Sequence, residues 1–311
     1  MIKKHALRVL RWFLAWGALA YVGWKLYEAR QQLTWSGDWL PDLFPLALAL
    51  ILVPVNWGLE GYKWKILVER TQPSTVPFSW LKPMLIGVAV SIFTPNRVGE
   101  LPGRLIVLPR NQRVAAGISA VIGSWAQLTL TLSLGMLSAL LWLNELALPT
   151  FTYALLTLAA VLSFVAYFSL PIWWKKGIPK RLQSKFQGFS RILERANFRL
   201  LTLAMYWSLV RYGVFLSQFL LVLDAFHAQV PFFTGASLVS LGYLISTFIP
   251  RIAFSEIAAR GSSMVWTLGL VGTPAVPVML ATTVIWILNV GLVALPGAFM
   301  ILLDKDKSRS A

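Results

Sequence analysis

Two segments of the chain set proline, arginine and glutamate inside long apolar stretches: SIFTPNRVGELPGR (91–104) and STFIPRIAFSEIAARG (246–261). Each follows an apolar limb with proline, arginine, glutamate and a second arginine, in that order. Glu100 and Arg104, like Glu256 and Arg260, are four residues apart, so on a helix each pair shares one face. Arg97 and Arg251 stand just before the expected helical starts. Arginine presents a planar set of donors suited to phosphate or carboxylate. A helix that begins inside the bilayer adds unpaired backbone N–H groups and a positive dipole end. The carboxylates could hold the arginines in place, or take up and release protons as coupling groups. The chemistry expected of Arg97, Glu100, Arg104, Arg251, Glu256 and Arg260 is therefore capture of an anionic group at membrane depth. The plain alternative is a pair of internal ion pairs that stabilise the two segments. Charge in hydrocarbon is costly and the set occurs twice, which favours a binding role.

The elements that carry these residues follow from composition. The chain is 57% hydrophobic and 13% charged, with a mean hydropathy of +0.68, far from an ordinary soluble domain. Runs such as Val114 to Asn144 and Leu146 to Trp174 contain no charge and exceed the roughly 20 residues that cross a hydrocarbon core. Six stretches read as full spans: about 9–27, 43–62, 114–143, 147–172, 200–223 and 276–303. The first resembles a signal peptide but places its small-residue triplet inside the apolar run, so an uncleaved span is expected.

The segments at about 79–109 and 236–271 are interrupted by proline and charge. Each is expected to be a broken helical hairpin that enters the membrane, turns and returns, since irregular backbone at that depth must be surrounded by protein or line a wet cavity. The fold class is thus all-α integral membrane, with about six transmembrane helices and two re-entrant hairpins. Full crossing by some hairpin limbs, giving eight or more spans, is the alternative. Pro95 and Pro250 lie half the chain apart, which reads as an inverted repeat of 1–146 and 147–311, each with three spans and one hairpin, and no soluble domain.

The formal charge of +16 has a membrane explanation in the tendency of Lys and Arg to collect on the cytoplasmic side. Placing both termini inside gathers most of the 28 basic residues there, including Lys63, Lys65 and Arg70 and the run Lys175 to Arg199. The expected location is a bacterial-type inner membrane. Nucleic acid is not an expected partner. The loop 173–199 reads as an ordinary basic loop or as an interfacial helix whose Leu182, Phe186, Phe189 and Leu193 face the headgroup region.

With no cysteine and two distant histidines, thiolate, Fe–S and His-based metal sites are not expected, and no cofactor is. No P-loop, GxGxxG, GxSxG or HExxH is present, so the chain is not expected to be an enzyme. Glu60 and Arg211 are secondary site candidates. Glu60 could simply pair with Lys63, whereas Arg211, flanked by Val210 and Tyr212, should face the interior and meet a carboxylate. Gln127, Gln218 and Asn289 read as interhelical hydrogen-bonding residues. Trp57, Trp64, Trp173 and Trp174 read as an interfacial belt.

At FTPNRVGELPGR the chain resembles the membrane region of lysylphosphatidylglycerol synthases and the wider flippase-like family. Pro95, Arg97, Gly99, Glu100 and Arg104 match the family's first motif, with Asn96 where glycine is common. At the second motif Pro250 and Glu256 remain, but Ile252, Ala253 and Phe254 stand in place of glycines. The resemblance implies translocation of an anionic or zwitterionic lipid, or a lipid-linked intermediate, between leaflets. The alternative it implies is a non-transporting membrane subunit that anchors or activates a separate lipid- or glycan-modifying enzyme. Aminoacyl transfer is not expected. An intramembrane lipid-modifying activity with Glu100 or Glu256 as base ranks last. The expected partners are membrane lipids, with a partner enzyme under the second reading.

Overall fold

The computed structural model describes residues 40–73, 77–142, 145, 149, 151–177, 187–249 and 256–307. The described residues form helices and turns, with no strand among them. Five helices are long and apolar enough to cross a membrane: α1 (Leu43–Thr71), α4 (Arg110–Leu141), α5 (Phe151–Phe168), α7 (Phe198–Ala225) and the continuous stretch Ala275–Leu303. The protein is a multi-pass membrane protein. The expected first span, 9–27, lies outside the described residues.

Hydrocarbon offers no partner to a backbone N–H or C=O, so long apolar segments satisfy themselves as helices. Their ends are marked by local chemistry. The Asp42 carboxylate accepts from the Phe44 N–H at 3.0 Å to open α1, and the Asn197 side chain accepts from the Leu200 N–H at 3.0 Å to open α7. At the end of α1 the Thr71 hydroxyl donates back to the Leu67 carbonyl at 2.7 Å.

Between the spans the chain forms two helix–break–helix units. In the first, α2 (Leu81–Ser91) and α3 (Glu100–Ile106) pack on each other around a turn at Pro95–Arg97. In the second, α8 (Phe232–Phe248) packs on α9 (Glu256–Gly269), with Pro250 and Arg251 outside the described residues. Both second limbs carry the glutamate of the motif and its arginine one turn later.

α7 runs along α1, and α4 touches α1, α5, α7 and α8, which makes α4 the central wall of the bundle. α10 (Ala275–Trp286) continues through a π-helical turn, Ile287–Gly291, into α11 (Leu292–Lys307), which packs against α2. One apolar core joins both units: Val53 of α1, Val88 of α2, Phe219 of α7, Leu238 of α8, Met264 of α9 and Ala281 of α10 all belong to it. In lipid such a core is held by close packing rather than by escape from water.

Two expectations are corrected here. The sequence reading ended the second span at 62 and put Lys63, Lys65 and Arg70 in a loop, but α1 continues to Thr71. Lys63 is only 2% exposed because it finds acceptors inside the bundle. In the basic segment 173–199, Leu182 and Phe186 lie outside the described residues, and α6 (Gln187–Arg195) turns Leu193, with Ile192, into a core with Leu67, Ala115 and Leu201. The long ends of α1 and α4 supply that apolar wall, and the Arg195 guanidinium ties the helix down by donating to the Thr71 carbonyl at 3.0 Å.

Candidate functional site

The first break places charge by local strain and a short hydrogen-bonded turn. Asn96 and Arg97 both have left-handed backbone, with φ of 48° and 58°. Asparagine adopts that region readily, whereas an arginine there is held by its surroundings. The Thr94 hydroxyl accepts from the Gly99 N–H at 2.8 Å and donates to the Ser91 carbonyl at 3.0 Å. Arg97 Nε donates to the Ser91 hydroxyl at 3.2 Å. Glycines let the limbs close: a Cβ on Gly87 would stand 2.5 Å from Arg104 Cγ and 2.7 Å from the Glu100 carbonyl oxygen.

This closure presses Glu100 and Arg104 toward α1 and α7, where a six-membered charge cluster forms. Arg104 Nη2 pairs with Glu100 Oε1, and Arg97 Nη2 lies 3.3 Å from Glu100 Oε2. Glu60 of α1 stands at the centre of the other half. Its carboxylate lies 2.7 Å from Lys63 Nζ, 3.3 Å from Arg211 Nη1 and 3.9 Å from Arg104 Nη1. Lys63 also donates to the Ser208 hydroxyl at 3.1 Å and the Gly123 carbonyl at 3.3 Å. Three acceptors match the three N–H bonds of an ammonium group. The Arg104 guanidinium sits over the Trp64 ring at 5.1 Å and that of Arg211 over the Trp57 ring at 5.8 Å.

The cluster therefore holds Lys63, Arg97, Arg104 and Arg211 against Glu60 and Glu100, two positive charges more than negative. Glu60 is 7% and Arg104 5% exposed, so water does not dilute that excess at either group. Arg104 Nε and Arg97 Nη2 are buried without a hydrogen-bond partner. A cavity of about 690 Å³ opens onto the cluster. Glu60, Asn96, Arg97, Glu100, Arg104, Ser124, Gln127 and Arg211 supply its polar lining, and Trp57, Val98, Leu101, Val121 and Leu128 are among its apolar walls. The volume lies within the range of small-molecule and head-group sites.

From Arg211 a chain of hydrogen bonds runs away from the cavity. Arg211 Nε donates to Asn56 Oδ1 at 2.9 Å, and Asn56 Nδ2 donates to Asn289 Oδ1 at 2.8 Å. Asn289 Nδ2 donates to Gln218 Oε1 at 2.8 Å, and Gln218 Nε2 donates to the Ala49 carbonyl at 2.8 Å. A donor-only guanidinium at one end and an acceptor-only carbonyl at the other fix the orientation of every amide between them. The chain ties α1 and α7 to the π-helical turn that carries Asn289.

The sequence-derived residues thus fall into two places. Arg97, Glu100 and Arg104 join Glu60 and Arg211 at the cavity, and Arg211 meets a carboxylate there. Glu256 and Arg260 lie elsewhere: they pair at 2.6 Å, with the Trp286 indole N–H donating to Glu256 at 3.3 Å and the Tyr243 ring 5.8 Å from the Arg260 guanidinium. No ion pair or hydrogen bond among the described residues joins this pair to the first cluster. Arg251 lies outside the described residues.

The helix-start donors expected at Glu100 are matched by the protein itself, since that glutamate occupies the first turn of the short α3. Lys63 was missed as a loop residue, and Trp57 and Trp64 as belt residues. Trp64 is instead buried, with its N–H donating to the Ala116 carbonyl at 2.9 Å. Their signal was present: Asn56, Trp57, Glu60, Lys63, Trp64 and Leu67 recur at helical spacing on one face of α1. No family model, curated protein or solved structure matches the chain.

Proposed function

We propose that this chain is a carrier that moves an anionic or zwitterionic lipid, or a lipid-linked intermediate, between the leaflets of a bacterial-type inner membrane. The observation that carries the reading is the cavity between α1, α3, α4 and α7, where Arg97, Arg104 and Arg211 face Glu60 and Glu100 inside an apolar helix bundle and Lys63 stands behind Glu60. A bundle that needed only stability would gain as much from apolar residues of the same size, because desolvating two charges offsets most of their attraction. An excess of positive charge beside open space is what an anionic head group requires. The resemblance of FTPNRVGELPGR to flippase-like proteins agrees with this reading.

The same proposal includes six spans, termini on the cytoplasmic side and two re-entrant hairpins related by an inverted repeat. The matching pairs on α3 and α9, each a glutamate paired to an arginine four residues on, support the repeat. Arg97, Arg104 and Arg211 would contact the head group, and Glu60 and Glu100 would hold them in register. Arg251, Glu256 and Arg260 would serve a second stage of passage.

The test is head-group accessibility of labelled lipids in vesicles containing the purified protein. The wild type should equilibrate the label across the leaflets, and Arg97→Ala should not, at equal abundance and insertion. If the wild type moves none of a panel of anionic and zwitterionic lipids, the non-transporting membrane subunit becomes the better reading. Parallel loss of abundance in Arg97→Ala would instead mark the cluster as a structural one.

A further inference from the structure

Resting on the reading of this cavity as a lipid site, we infer that its ligand is a phosphate monoester carried on an apolar chain: a doubly charged terminal phosphate, in preference to a phosphodiester head group. Three observations converge on it.

The first is charge. Arginine does not deprotonate in proteins, and Lys63 is ion-paired with Glu60 at 2.7 Å, so the cluster's basic groups outnumber Glu60 and Glu100 by two. A phosphodiester supplies one negative charge and would leave one cation uncompensated at low dielectric. A phosphate monoester supplies close to two at neutral pH.

The second is hydrogen bonding. Arg104 is more than nine-tenths buried and its Nε has no partner, and Nη2 of Arg97 likewise has none although it lies 3.3 Å from a Glu100 oxygen. Both side chains line the cavity and both are donors only. They call for acceptor oxygens, and a monoester presents three terminal ones where a diester presents two.

The third is the wall. Val98, Val121 and Leu128 line the cavity and are exposed. Val121 and Leu128 belong to the spanning helix α4, whose outer surface faces lipid. An apolar chain attached to a phosphate held at Arg97 and Arg104 can therefore leave sideways along α4, a route that a free phosphate does not need.

The test uses the full-length protein in detergent and three probes: dioctanoyl phosphatidate, dioctanoyl phosphatidylglycerol and inorganic phosphate. Binding by titration calorimetry at about pH 8 should favour the phosphatidate over the phosphatidylglycerol by about tenfold or more, with inorganic phosphate weaker than either. The preference should shrink at about pH 5, where the monoester takes back its second proton near pH 6. The cavity is faced by Glu60 of α1, Arg97 of the turn, Glu100 and Arg104 of α3 and Arg211 of α7, with Lys63 of α1 behind Glu60 at 2.7 Å, and by no titratable group of α4. Arg97→Gln and Arg211→Gln, each removing one charge, should bring the two lipids to within about threefold of each other.

Equal binding of the two lipids by the wild type overturns the inference, and if lipid movement in vesicles persists the carrier reading still stands. Monoester-selective binding without movement supports the ligand assignment and sinks the carrier. Inorganic phosphate binding as tightly as the phosphatidate removes the apolar chain from the ligand and overturns the inference. Retention of the full preference in both arginine variants also overturns it, since charge would not then be its source.

Discussion

Replacing Glu60 with glutamine keeps the size of the side chain and removes the carboxylate that faces Lys63 at 2.7 Å, Arg211 at 3.3 Å and Arg104 at 3.9 Å. Glu100 would then stand alone against four cations. Unit charges 4 Å apart interact by about 4 kcal/mol at an effective dielectric of 20 and by about 1 kcal/mol in water. Burial at Glu60 and Lys63 puts the cluster toward the first value, and the loss of one partner of a buried pair commonly costs about 3–5 kcal/mol. At roughly 2–4 °C per kcal/mol this is a fall in Tm of roughly 6–20 °C, read by thermal unfolding of the purified protein in detergent. The companion variant Glu60→Gln with Lys63→Met removes a cation together with the carboxylate and should recover at least half of the loss. A single variant as stable as the wild type would refute the reasoning: the cluster would then be hydrated through the cavity, and its charges too weakly coupled to define an anion site. A single variant that falls without rescue would place the damage in lost shape or hydrogen bonding rather than in charge balance.

Two further outcomes test how the turn and the limb contact set the site. Asn96→Val should lose about 1–3 kcal/mol against Asn96→Gly in thermal unfolding, because the backbone at φ 48° excludes a β-branched side chain and suits glycine. Gly87→Ala drives a Cβ to 2.7 Å from a backbone oxygen of α3 and should cost about 1–3 kcal/mol, along with lipid binding. The control is Gly58→Ala, whose Cβ meets nothing within 4 Å and which should gain about 1 kcal/mol from helix propensity.

The spans were legible because uncharged length is itself the signal in a membrane chain: residues 114–143, 147–172, 200–223 and 276–303 overlap α4, α5, α7 and the last long helix closely. The two broken units were legible for the converse reason, that proline and charge inside an apolar stretch contradict a straight helix. The end of α1 was not. Lys63 looks like a loop marker under a rule that assigns basic residues to the cytoplasmic side, and beside its neighbour Glu60 its burial rests on partners brought by α4 and α7, Gly123 and Ser208. Those contacts are separated by 60 and 145 residues, beyond the reach of any local pattern.

The site divides along the same line. Arg97, Glu100 and Arg104 came from a motif, a local arrangement that survives folding as written. Glu60, Lys63 and Arg211 are single charges on helices that read as ordinary spans, and what unites them is a position on facing surfaces of α1 and α7, the pair that runs together through the bundle. The motif alone is neutral in its i,i+4 pair and becomes cationic only through Arg97. It is the α1–α7 contribution, two cations with one carboxylate, that raises the excess to two. The repeat at Glu256 and Arg260 has no such addition among the described residues: its pair is covered by Trp286 and Tyr243, which donate or stack but carry no charge. Among the described residues the two Glu–Arg pairs thus differ in the charge around them, because different helices face them. The binding preference of the first site should accordingly respond to substitutions on α1 and α7 as strongly as to substitutions in the motif itself.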